Sequence, residues 1–161
     1  MEHPATPDEL AILSQMDFIV PLKQFGLISR AVLEGVYHFY KPRRIILVTS
    51  ERERHIFHNL VVPYWSVGVI EFVPEETFFL PHLHLTLDQI KAEYDDARGP
   101  EQREVGWWLQ QLVKLGAASQ VEGISEHYVV WDGKSKTPVS NICCHRDHGK
   151  GLSMFLFDWL W

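Results

Sequence analysis

The sequence predicts a single α/β domain with a mostly parallel sheet covered by helices on both faces. Three observations predict it. Four short runs rich in branched and aromatic apolar residues recur at 17–22, 44–49, 66–73 and 127–132. Each is nearly continuous in apolar character rather than alternating, as strands buried on both faces are. Between them lie stretches whose apolar residues recur every three or four positions, the period of a half-buried helix. The 161 residues, 46% hydrophobic and 22% charged, can bury the core of one domain but do not suffice for two.

The elements follow in order. Asp17-Phe-Ile-Val-Pro-Leu22 is a buried strand ending at Pro21, which has no N–H to continue a ladder. Residues 27–40 carry Ile28, Ala31, Val32, Val36, Phe39 and Tyr40 at helical spacing, and Lys41-Pro42 stops the helix. Arg44-Ile-Ile-Leu-Val-Thr49 is the second strand. Ser50 with Glu53 three residues on is the signature of a reciprocal helix cap, opening a short helix to about Leu60. Residues 66–73 are the third strand, and Pro74 to His84 reads as a loop. Thr86 with Gln89 repeats the capping signature for a helix with Leu87, Ile90, Tyr94 and Ala97 inward, broken by Gly99-Pro100. A further helix spans roughly 101–115, closed by Gly116. Its core face is Val105, Trp108, Leu109, Leu112 and Val113; Arg103, Trp107, Gln110, Gln111 and Lys114 lie opposite. His127-Tyr-Val-Val-Trp-Asp132 is the fourth strand and ends in a carboxylate.

Composition excludes several classes of function. Fifteen Lys and Arg against twenty-one Asp and Glu give a net charge of −6, so the chain has no global attraction for nucleic acid or anionic membrane. No window approaches the ~18 continuous apolar residues of a membrane span, and no secretory leader precedes Asp17, so a cytoplasmic protein is the default expectation. The only two cysteines, Cys143 and Cys144, are adjacent and suggest no disulfide framework. There is no phosphate-binding Gly-rich loop and no Gly-x-Ser-x-Gly elbow.

Parallel sheets bind ligands at the carboxyl ends of their strands. The residues there are Pro21-Leu-Lys23, Thr49-Ser-Glu51, Val73-Pro-Glu75 and Asp132. Asp132, on a Gly turn after four apolar or aromatic residues, has the chemistry to reach a hard cation or a ribose hydroxyl; Asp-Gly is also a common turn. Ser50-Glu51 suits a nucleotide's sugar or base, and equally a helix cap. Trp107, Gln110, Gln111 and Lys114 offer an aromatic face, amide donors and acceptors, and a cation for phosphate; a solvated helix face is the plainer reading. His82 and His84 flank Leu83 with no third ligand nearby, and in Cys143-Cys-His-Arg-Asp-His148 only His145 and His148 have the spacing of a zinc-ligand pair, so surface histidines and a non-metal role are the plainer readings.

Gly106-Trp-Trp-Leu-Gln-Gln-Leu-Val-Lys-Leu-Gly-Ala117, followed by Ile124-Ser-Glu-His-Tyr-Val-Val-Trp-Asp132, resembles a family of poorly characterised proteins with a GT-A-type glycosyltransferase domain. Residues 17–22 and 44–50 also look like that family's first two strands, and the resemblance covers about residues 15–139. It implies a Rossmann-like GT-A nucleotide-binding half that takes a nucleotide-diphosphate sugar, with a divalent cation, Mn or Mg, on the diphosphate. Asp132 matches the first residue of the family's Asp-x-Asp metal motif. Pro21, Lys23 and Glu51 match strand-end positions near the nucleoside, and Trp107, Gln110 and Lys114 fall on the helix that precedes the motif.

Two departures from the pattern shape the expectation. Lys134 stands where the second Asp belongs, and an ammonium repels a metal rather than ligating it. After Ser140 nothing resembles the family's sugar- and acceptor-binding half. The organisation expected is therefore an N-terminal segment (1–14), an incomplete GT-A-like domain (15–139) and a divergent C-terminal tail (140–161). The function expected is that of a glycosyltransferase-like protein, truncated and weakly active or inactive. The alternatives are a non-catalytic α/β nucleotide-binding module, or a splicing or gene-model fragment. In the tail, Phe155, Phe157, Trp159 and Trp161 fall on one side of an extended segment, so it is either an adventitious sticky end or a strand filling the sheet's open edge.

Overall fold

The computed structural model describes residues 6–60, 62–64, 69–98, 105–131, 141–147 and 151–157. Strands β1 (Asp17–Pro21), β2 (Arg44–Thr49), β3 (Ile70–Pro74), β4 (His127–Val130), β5 (Asn141–Asp147) and β6 (Gly151–Phe157) form one sheet in the order β3-β2-β1-β4-β5-β6. The first four are parallel, and β5 and β6 add an antiparallel pair beside β4. The fold is α/β and Rossmann-like. Six helices accompany the strands: α1 (Pro7–Leu13), α2 (Leu27–Tyr40), α3 (Glu51–Leu60), α4 (Leu80–Leu83), α5 (Leu87–Arg98) and α6 (Val105–Gln120).

Period-two alternation divides each apolar run between two cores. Phe18, Val20, Ile45, Leu47, Val129 and Trp131 face α2 and α3, meeting Leu33, Val36 and Phe57. Ile19, Ile46, Val48, Tyr128 and Val130 face the other way, meeting Phe78, Phe79 and the α6 residues Val113 and Ala117. Double coverage is why these strands lack polar alternation. β3, at the sheet's edge, is correspondingly less buried than β1 and β2.

Several expectations are corrected. The buried face of α2 is Ser29, Leu33 and Val36. Ile28, Ala31 and Phe39 point outward, with Phe39 70% exposed. The apolar spacing fitted two overlapping faces, and sheet packing selected one. The segment from Pro74 to His84 is not simply a loop: a 3-10 turn (Glu75–Thr77) and α4 bracket Phe78 and Phe79, which are buried against α6. α6 does not end at Gly116 but continues to Gln120. Gly116 is there for close approach, since a Cβ on it would lie 3.3 Å from both phenyl rings. The chain turns instead at Gly123, with φ +60°. Leu112, expected inside, is 38% exposed, because Val113, Ala117 and Val121 define the inward stripe.

At residues 51–53 the expected reciprocal cap is made one way only. Glu53 N–H donates to Ser50 Oγ at 3.3 Å, but the Glu53 carboxylate turns to another segment. At Thr86 and Gln89 both halves form, at 2.8 and 3.2 Å. Lys41, in the left-handed region, closes α2 as expected. The third strand begins at Ile70; residues 66–68 of its expected span lie outside the described residues, as do 101–104 of the last helix. α1, within the segment 1–14, was not anticipated. Residues 141–147 and 151–157 form a hairpin whose first strand pairs with β4 through Val130↔Ile142 to His127↔His145.

The amino ends of the strands are tied by charge. Asp17, 0% exposed, accepts from Arg43 Nε (2.8 Å) and Nη2 (2.5 Å), Arg44 Nη2 (3.1 Å) and the Ser125 N–H (2.9 Å). Burial pushes its carboxyl upward, but these donors outweigh burial and hold it below the usual carboxylate range.

Candidate functional site

The strand order reverses between β1 and β4, so the crevice at their carboxyl ends is where this fold class takes ligands. β1 pairs with β2 as far as Pro21↔Val48 and with β4 through Ile19↔Val130, where Trp131 N–H donates to the Ile19 carbonyl at 2.8 Å.

The chain leaving β1 is pinned at three points. Leu22 N–H donates to the Val48 carbonyl (2.9 Å), Thr49 Oγ1 donates to the Leu22 carbonyl (2.6 Å), and Phe25 N–H donates to Glu53 Oε2 (2.8 Å). The Phe25 ring packs edge-to-face on Phe57 at 4.7 Å. The surrounding concavity, walled by Leu22, Phe25, Leu47, Thr49, Glu53, Phe57 and Phe72, is too tight to admit water.

Lys23 is the cation this pinned loop presents. A Cβ on Gly106, the second residue of α6, would lie 3.8 Å from Lys23 Nζ. A cation and the first described turn of α6, the positive end of the helix dipole, thus meet near the carboxyl end of β1. Lys23 makes no ion pair with any described residue. Glu75, just past β3, faces the same region. Burial and the neighbouring Glu76 raise its carboxyl above the usual range, against the pull of Lys91 and Lys23.

The other expected site residues distribute as follows. Pro21 is buried as the last residue of β1. Glu51 is on the surface; its carboxylate takes Arg54 Nε at 2.7 Å and its N–H donates to Glu76 Oε1 at 3.3 Å. Gln110 lies four residues beyond Gly106, about 6 Å along α6, and Lys114 eight residues beyond, about 12 Å. Lys114 is therefore displaced toward the middle of the helix, away from Lys23. Trp107 follows Gly106 in the first turn of α6. Asp132 and Lys134 lie outside the described residues.

Among the described residues no group of three or more His, Cys, Asp or Glu side chains is placed to hold a metal ion. Three carboxylates near the strand ends are otherwise engaged: Glu51 with Arg54, Glu53 with Phe25 N–H, Glu76 with Glu51 N–H. As placed, these three do not fit a divalent cation. His82 and His84 are exposed at the end of α4, the latter with φ 55°. Cys143, Cys144 and His145 fall on β5, and His148 lies outside the described residues.

The contact from Glu53 to Phe25 is the feature that sequence reasoning missed. The Ser50-x-x-Glu53 spacing signalled a local partner, and only the apposition of α3 with the β1–α2 loop supplies the distant one. No described helix is long and apolar enough to cross a membrane. No protein-family model, curated protein or solved structure matches the chain.

Proposed function

We propose that this chain is a glycosyltransferase-like domain that binds a nucleotide-diphosphate sugar at the carboxyl ends of β1 and β4. One observation carries the reading: the meeting of the Lys23 ammonium with the first turn of α6 at the switch point. A point cation beside helix N–H groups is suited to a diphosphate. The donor class rests on the resemblance of residues 106–132 to GT-A-type glycosyltransferases.

The geometry also favours α6 over α2, which starts at the same end of the sheet. α2 follows β1 directly, where dinucleotide-binding folds place the pyrophosphate on a Gly-rich turn. Here that turn has the sequence Leu22-Lys-Gln-Phe-Gly26, and the Glu53 carboxylate already occupies the Phe25 N–H. An anion at the Phe25 N–H would meet that fixed negative charge, whereas the Lys23 ammonium, on the same turn, is carried to Gly106 of α6.

The Asp132-Gly133-Lys134 sequence favours a second, narrower form of this reading, in which the domain binds the nucleotide without metal-dependent transfer. Titration of the 161-residue protein with UDP and GDP, with and without Mn²⁺, tests both by amide chemical shifts and calorimetry. Shifts at Lys23, Gly106 and Gln110 are expected. Lys23→Ala should weaken binding about ten- to a hundredfold, the worth of a charge-assisted hydrogen bond of roughly 1.5–3 kcal/mol. An unperturbed spectrum at millimolar nucleotide refutes the function. Mn²⁺-dependent sugar transfer that is lost in Asp132→Ala refutes the narrower form.

A further inference from the structure

Glu53 sits on α3, yet its carboxylate leaves that helix to accept the Phe25 N–H at 2.8 Å. Its own N–H is held by Ser50 Oγ, so the first turn of α3 orients the side chain that reaches across. The contact is half-buried beside the apolar wall of Leu22, Leu47, Phe57 and Phe72, which shields one side of it from water. The other two anchors, from Val48 and Thr49, both fall on Leu22. They fix the exit from β1. Beyond Lys23 the loop is held by Ser29 Oγ, which donates to the Gln24 carbonyl at 3.4 Å, by the Phe25 ring on Phe57, and by Glu53, the charged anchor, so the residue proposed to meet the diphosphate is clamped between Leu22 and Phe25.

We infer that Glu53 is a positioning residue: by holding Phe25 N–H it fixes the β1–α2 loop in the conformation that presents Lys23 to the first turn of α6. This rests on the proposed diphosphate site. The physical reason is preorganisation. A lysine side chain already loses rotamer entropy when it binds an anion, and a loop that had to order at the same moment would add its backbone entropy to that loss.

Two substitutions of similar length separate this role from general packing. Glu53→Gln keeps an oxygen that accepts the Phe25 N–H; Glu53→Met keeps the shape and removes the acceptor. The measurements are UDP affinity by calorimetry, melting temperature, and hydrogen exchange of the Phe25 and Lys23 amides. The Phe25 amide of the unsubstituted protein should be protected, and that protection should be lost in Glu53→Met and kept in Glu53→Gln. UDP affinity should fall about five- to tenfold in Glu53→Met and stay within about twofold of the parent in Glu53→Gln. If the parent binds UDP and Lys23→Ala weakens binding as expected, but Glu53→Met binds as the parent does, the positioning role is overturned and the site stands. If the parent does not bind UDP, the site itself falls and this role with it. Should Glu53→Met fail to fold, the parent and Glu53→Gln still decide: an unprotected Phe25 amide in the parent, or a tenfold affinity loss in Glu53→Gln with an unchanged melting temperature, overturns the inference.

Discussion

Replacing Asp17 by Asn should destabilise the domain more than any surface substitution of similar size. The carboxylate is fully buried and accepts four hydrogen bonds, three of them from two guanidinium groups. Asparagine offers one acceptor oxygen and turns an N–H₂ group toward the arginines. Removing one partner from a buried charge pair costs about 3–5 kcal/mol. The Arg43 and Arg44 side chains are 45% and 20% exposed, so water takes up part of their loss. The Ser125 N–H has less recourse, and an unmet buried donor costs about 1–3 kcal/mol. Together these give a loss of roughly 2–4 kcal/mol, which at about 2–4 °C per kcal/mol for a domain of this size lowers the melting temperature by roughly 5–15 °C. The pH dependence has a definite sign. The folded carboxyl titrates below its unfolded value of about 3.9, so its stabilisation is complete above that value and is lost as pH falls through the lower, folded one. Thermal unfolding of both proteins from pH 7 to pH 3 checks this. The gap between parent and Asp17→Asn should be constant at neutral pH and should narrow below about pH 4. A shift under about 2 °C at pH 7, or a gap that widens on acidification, refutes the argument that this network ties the amino ends of the strands.

Gly116→Ala adds a methyl 3.3 Å from two buried rings that are themselves packed edge-to-face at 4.8 Å. Overpacking of about 1–3 kcal/mol should exceed the roughly 1 kcal/mol gained in helix propensity, and calorimetry should show a melting temperature about 2–4 °C lower. Glu75→Gln should act in the other direction. Because the folded state raises the Glu75 pKa, ionised Glu75 opposes folding at neutral pH, and the cost disappears as pH falls through the folded value. Urea unfolding should find Glu75→Gln more stable than the parent at pH 7, with the difference shrinking toward pH 4; a variant less stable at pH 7 contradicts the assignment of burial as the main cause. The same substitution removes a negative charge that acts on Lys23, so UDP affinity measured by calorimetry at pH 7 should change by less than Lys23→Ala changes it.

The sequence by itself determined the layers and their order. Runs such as Phe18-Ile-Val20 and Ile45-Ile-Leu-Val48 have no polar alternation, and only a sheet covered on both faces buries such a run. Thr86 and Gln89 marked a helix start because capping is settled within four residues. Lys41-Pro42 marked a helix end for the same local reason. Pro21 and Lys23 were legible as strand-end residues because strand polarity follows from the alternation of strand and helix. What tertiary structure decided is whatever depends on which segment lies across from which. Ile28 and Phe39 had helical spacing as good as that of Leu33 and Val36, and only the packing of α2 on the sheet chose between them. Gly116 had the local signature of a helix stop, yet Phe78 and Phe79, thirty-odd positions away, made it a contact point within a longer helix. Glu53 had the signature of a cap, yet its carboxylate took the N–H of Phe25 instead. Asp17 read as the polar first residue of a strand, and its role emerged only when Arg43, Arg44 and Ser125 converged on it. Local rules fix an element's type, because backbone geometry is satisfied within a turn or two. A side chain's partner is fixed by burial and charge across the whole fold, where residues 28 or 108 positions apart in sequence come within 3 Å.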